Sequence, residues 1–149
     1  MEATAALETS HLFMHVADTE ATITFWCEGL GGTLEQDEEL EAAALDAMFG
    51  REGVRIRDTF IRVGGIRLHT IETLDVKREH DAAPAERYAL GLSGISFHVP
   101  DLDAAHAKAE QRGMSPTPVF AFSEIESPVR MFFLEDPDGI RVEMIEASQ

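Results

Sequence analysis

Two histidines and one glutamate, His11, His69 and Glu143, fall where strand alternation would turn their side chains to a polar face. Neutral imidazoles and a carboxylate are strong ligands for first-row divalent metals. Two of the first with one of the second make a facial site that keeps coordination positions open for a bidentate substrate plus water or dioxygen. Taken singly, each is equally a polar residue hydrogen-bonded in a wet pocket. His15 and His98 share those polar faces, but each lies four residues beyond the start of its strand, on the order of 13 Å along it. They are too distant to be metal ligands and are candidates for a general acid or base, or simple hydrogen-bonding partners kept from a duplication. Arg67 and Arg141 have the same parity two residues before His69 and Glu143, so they are either substrate carboxylate clamps or exposed hairpin arginines.

The elements that must position these groups are written twice. Gly64 to Glu72 reads GGIRLHTIE and Asp138 to Glu146 reads DGIRVEMIE, while His15-Val16-Ala17-Asp18 is echoed by His98-Val99-Pro100-Asp101. A duplicated module predicts a pseudo-symmetric fold with a site between its halves. His11 to Val16 and Gly94 to Val99 alternate as half-buried strands, and Phe13 and Ser96 sit on their polar faces as candidate substrate contacts. Asp18 and Asp101 are N-caps for helices that end near Gly31 and Gly113. A short helix near Glu41 to Phe49, a strand from about Val54 to Val63 and a Gly64-Gly65 turn complete the first module. Pro116 to Phe122, Arg130 to Glu135 and an Asp136-Pro137-Asp138-Gly139 turn do so in the second. Leu68 and Val142 are expected to pack beneath the helices. The fold class is α+β, with two βαβββ modules forming a curved mixed sheet around a cavity. The expected divisions are 9–74 and 93–147, joined by a linker over 75–92 that contains His80 and Tyr88, within one domain spanning 1–149.

The chain has 149 residues, 44% of them hydrophobic, enough for a real core. Its N-terminus has no signal-like pattern, no apolar run is long enough for a membrane span, and Cys27 is the sole cysteine, which together suggest a cytoplasmic protein. A formal charge of −16 disfavours nucleic acid and anionic membrane as partners and leaves a small molecule as the expected one. The acidic run Glu35 to Glu41 suggests a solvated helix or loop. Arg51, Arg55, Arg57, Arg62 and Arg67 suggest either a local positive surface beside a pocket or solvated strand faces. His106, on a helix rich in Ala and charge, is expected at the surface, as is His80.

In HLFMHVAD followed by FWCEGLGG, in GISFHVPDLD and above all in FFLEDPDGIRVEMIE, the chain resembles the vicinal oxygen chelate superfamily. That superfamily includes glyoxalase I, methylmalonyl-CoA epimerase, extradiol dioxygenases, fosfomycin-resistance transferases and bleomycin-binding proteins. The resemblance runs from His11 to Glu146. It implies ligands at the start of each module's first strand and in the middle of its last, positions held here by His11, His69, Gly94 and Glu143. Gly94 is the departure, standing where many relatives carry a histidine, so three ligands remain. The implied cofactor is one divalent ion, of Fe, Mn, Ni, Co or Zn, and the implied assembly is a homodimer. The implied activity is a lyase or isomerase working through a metal-chelated enolate, with Glu143, His15 and His98 as catalytic groups. Two alternatives are an Fe(II)-dependent dioxygenase and a metal-free binding protein in which Phe13, Trp26, Tyr88, Phe120, Phe122 and Phe133 would suit an aromatic or cationic ligand.

Overall fold

A computed structural model describes residues 7–79, 90–123 and 126–146. The first module runs β1 (Leu12–His15), α1 (Thr19–Ile23), a π-helical turn (Thr24–Gly29), β2 (Thr33–Glu41), α2 (Ala43–Phe49), β3 (Arg55–Val63) and β4 (Ile66–Thr73). The second runs β5 (Gly94–Val99), α3 (Leu102–Gln111), β6 (Phe120–Phe122), β7 (Val129–Glu135) and β8 (Arg141–Glu146). The sheets are separately hydrogen-bonded and have the same topology, β1-β4-β3-β2 and β5-β8-β7-β6. In each, the first strand lies parallel to the last and the other pairs are antiparallel.

The repeated residues hold equivalent places for physical reasons. Asp18 Oδ1 accepts from Ala21 N at 3.0 Å and Asp101 Oδ1 from Ala104 N at 2.9 Å, capping both helices. The glutamate of each repeat also serves its own helix: Glu72 Oε2 accepts from Thr19 N at 2.8 Å, and Glu146 Oε1 from Leu102 N at 3.4 Å. A carboxylate at a helix start satisfies an orphan N–H and complements the positive end of the dipole. Leu68 and Val142 are fully buried on the helix-covered faces, as alternation requires.

One apolar core joins the modules, with Trp26, Ile61, Val63 and Leu68 from the first meeting Leu102, Ala109, Phe132, Leu134 and Val142 from the second. Trp26 and Phe97 rings lie 6.5 Å apart, and Ala17 N donates to Asp138 Oδ1 at 3.0 Å, so each module also touches the other's first strand or turn. Gly64, at φ +54°, passes so close to the Phe97 ring that a Cβ would strike it. In the turn before β8, Asp136 Oδ1 accepts from Asp138 N at 2.9 Å and Ile140 N at 2.8 Å, while burial pushes its carboxyl above the usual range.

Four expectations are corrected. The acidic run Glu35 to Glu41 is neither helix nor loop but belongs to β2, an edge strand several of whose carboxylates meet arginines on β3 and β4. Arg57 holds Asp37 through two hydrogen bonds of 2.8 and 2.7 Å, Arg55 reaches Glu39 at 3.4 Å, and Arg62 and Arg67 share Glu35 at 3.2 and 3.3 Å. The arginine cluster is therefore neutralised across the sheet and presents no positive surface. His106 is half-buried rather than superficial, with Nε2 against the Thr117 carbonyl at 2.8 Å and its ring edge-on to Phe132. The strand placed over Pro116 to Phe122 covers only Phe120–Phe122, because Pro116 and Pro118 have no N–H for a ladder. His80 and Tyr88 lie outside the described residues.

Candidate functional site

The face of the first sheet turned away from α1 carries the chemistry. β1 pairs Phe13 with His69 and His15 with Ile71, and β3 pairs Phe60 with His69 and Asp58 with Ile71, so these residues share one face. Ile56 and Ile71 of that face pack against Leu45 and Phe49, which closes one end of it with α2. His69 is held on two sides. Its ring stacks on Phe60 at 4.3 Å and 6°, and its Nε2 bonds Asp58 Oδ1. His11 meets both rings edge-on, 5.2 Å from His69 and 5.4 Å from Phe60, while its Nδ1 lies 2.9 Å from Ser10 Oγ. Arg67 lies over the other side of the group, its guanidinium 3.9 Å from the Phe60 ring.

Asp58 is the residue that the sequence reading missed. It is only 5% exposed, and a buried carboxylate needs a partner, which His69 supplies. Its signal lay in the pattern of β3, where Asp58 has the parity of Ile56 and Phe60 and so points where apolar residues point. Beyond His69 on the same face, His15 sits edge-on to Phe49 at 5.9 Å. Burial, with Arg78 and His69 nearby, lowers its pKa below the ordinary histidine value, which keeps the imidazole neutral at pH 7.

The second sheet repeats part of this arrangement with other chemistry. Glu143 lies opposite Phe133 and beside Ser96, whose hydroxyl donates to Glu143 Oε1 at 2.7 Å. Ser96 thus orients a carboxylate. Arg141 lies over the Phe133 ring at 4.1 Å, the counterpart of Arg67 over Phe60. Gly94 is packed against the Arg141 backbone so tightly that a Cβ would run into its carbonyl oxygen, which bars a histidine unless β8 moves. Phe13 is 68% exposed, whereas Trp26 is fully buried in the core. A cleft of about 550 Å³ runs along β1 to the start of β5, with His11, His15 and Asp136 among its walls, a size suited to a small molecule.

The structure therefore brings His11 and His69 together, fixes His69 through Asp58, and holds Glu143 through Ser96 on the other sheet. Among the described residues, no three His, Cys, Asp or Glu side chains gather closely enough to hold a metal ion. In donor chemistry the set fits a divalent metal. A carboxylate bonded to an imidazole is the arrangement that orients metal-ligating histidines, and Glu143 adds the oxygen donor.

The family model described as Glyoxalase/Bleomycin resistance protein/Dioxygenase superfamily matches residues 9–144. The chain belongs to this superfamily. Its glyoxalase fold is shared with a glyoxalase family protein from Bacillus cereus, at 19% identity, with 100% of this chain and 99% of that one covered and a TM-score of 0.76. A glyoxalase family protein from Enterococcus faecalis matches at 20% identity, covering 93% of this chain and 97% of its own, with a TM-score of 0.67. The fosfomycin resistance protein FosX from Listeria monocytogenes matches at 15% identity, covering 95% and 94%, with a TM-score of 0.60. No curated protein matches the chain. At such identities the likeness is one of glyoxalase fold, and the reaction must be argued from the site.

Proposed function

We propose that this glyoxalase-superfamily chain is a divalent-metal-dependent lyase or isomerase acting on a small oxygenated substrate. The observation that supports it is the imidazole pair, His11 and His69 at 5.2 Å, with His69 secured by Asp58 and Phe60. His11, His69 and Glu143 would hold the metal, which when bound stabilises enolate-type negative charge on neighbouring substrate oxygens. The remaining work falls to the chain itself. His15, whose pKa burial lowers, would accept a proton from a substrate lying along β1, with His98 as its counterpart on β5. Glu143, oriented by Ser96, anchors and can relay a proton. Phe13 offers an apolar contact, and Arg67 and Arg141 border the two faces.

A second reading, a binding protein that works without metal, is favoured by one observation. Phe13 on β1 and Phe120 and Phe122 on β6 present aromatic surface to solvent. The deciding experiment strips the protein of metal and titrates Fe(II), Mn(II), Co(II), Ni(II) and Zn(II). Stoichiometric binding that is lost in His69→Ala and Glu143→Ala but kept in His106→Ala is the expected result. Equal binding in all three variants would remove the assigned ligands, and no binding by the wild type would leave the metal-free reading. Iron that restores oxygen uptake would make the chain a dioxygenase, whereas metal-dependent exchange of a substrate C–H with solvent deuterium supports the lyase or isomerase.

A further inference from the structure

The repeat placed a guanidinium over a phenyl ring in both modules, but only one of the two is neutralised. Arg67 over Phe60 shares Glu35 with Arg62, and Arg51, Arg55 and Arg57 are likewise matched to carboxylates. Arg141 over Phe133 has no ion pair among the described residues. Glu135, directly across on β7, is not within salt-bridge distance, and Glu143 is engaged by Ser96. The cause lies in the strand that completes each sheet. In the first module β2 is long and acidic, whereas its counterpart β6 is the three residues Phe120–Phe122. Phe120 and Phe122 pair with Met131 and Val129, which places them on the face of Phe133. They are 43% and 48% exposed, and the Phe120 and Phe133 rings are 6.2 Å apart.

A guanidinium held over a ring is fixed in place while its N–H groups remain able to donate, and that fork matches a carboxylate. We propose that Arg141 recognises a carboxylate on the small molecule this protein takes, with a flat apolar body of that molecule resting against Phe120 and Phe122. The proposal rests on the reading of these faces as the substrate site, and it assigns the substrate class as an apolar carboxylic acid bound end-on by the second module. Arg67 is then a structural partner of Glu35, and the two arginines are not a symmetric clamp. A chain with 28 acidic and 12 basic Lys and Arg side chains repels anions in general, so any preference for one must come from a local cation.

The test uses chelator-treated full-length protein, with benzoate and its neutral isostere benzamide titrated and followed by NMR shifts. Benzoate should bind about tenfold more tightly than benzamide, the usual worth of a charge-assisted contact. Arg141→Ala should abolish the preference, as should Arg141→Met, which keeps an apolar stem over Phe133. Arg67→Ala should retain it. Equal affinity for the two probes, binding of neither, or an unchanged preference in folded Arg141→Met would overturn the proposal. Because no metal is present, these outcomes are independent of whether His11, His69 and Glu143 bind one.

Discussion

Asp58 earns its place at the site by what it does to His69: a hydrogen-bonded carboxylate fixes the ring orientation and tautomer before any ligand arrives. Asp58→Ala should therefore weaken metal binding by about 10–100-fold, the usual effect of losing such a partner. Isothermal titration with Zn(II) or Co(II) would check it, and an affinity equal to wild type would show that His69 needs no support. Gly94 carries the opposite lesson. Placing a histidine there, Gly94→His, should lower stability by about 1–3 kcal/mol through overpacking against Arg141, as measured by urea unfolding, without improving metal affinity. That His11 and His69 meet on one face could be read in the sequence, because alternation and the repeat mark their positions. Asp58 and the closed space at Gly94 could not, since each depends on a neighbour supplied by a different strand.

The strand β2 shows how an element can contradict its own composition. Asp and Glu are poor strand formers, so EQDEELE suggests helix or loop until the arginines of β3 are set opposite it. That pairing is non-local, which is why a reading along the chain treats the two charge clusters separately. The Arg57 hydrogen bonds hold the Asp37 carboxyl below its ordinary range. Its folded value thus lies under its unfolded one, and the pair's contribution is complete above the unfolded carboxylate range and lost as pH falls through the folded value. Asp37→Asn should cost about 0.5–1 kcal/mol at pH 7, an amount limited by solvent screening, and progressively less as the pH drops below about 4. Urea denaturation across that range measures it, and a pH-independent difference would contradict the assignment. The β4 and β8 strands, by contrast, were legible because each carries its alternation, its turn and its helix-capping glutamate within nine residues of sequence.

For the whole molecule, the duplication could be read directly, but the way its halves meet could not. The contacts that join them, Trp26 with Phe97 and Ala17 with Asp138, come from residues that differ between the copies. Trp26 is the only tryptophan and is fully buried where the modules share their core, so its fluorescence reports on both at once. Unfolding followed by that fluorescence should coincide with unfolding followed by far-ultraviolet circular dichroism. Trp26→Ala should lower stability by about 3–5 kcal/mol. Two separated transitions would mean that the modules melt independently. The acidic β2 has a further consequence at this scale. An edge strand with unsatisfied backbone groups is a template for another chain, and on β2 the carboxylates of Glu38 and Glu41, which no arginine pairs among the described residues, make stacking such edges repulsive. The carboxylates that disguise β2 as a loop thus guard the protein against fibril growth, a protection that acid would weaken by neutralising them.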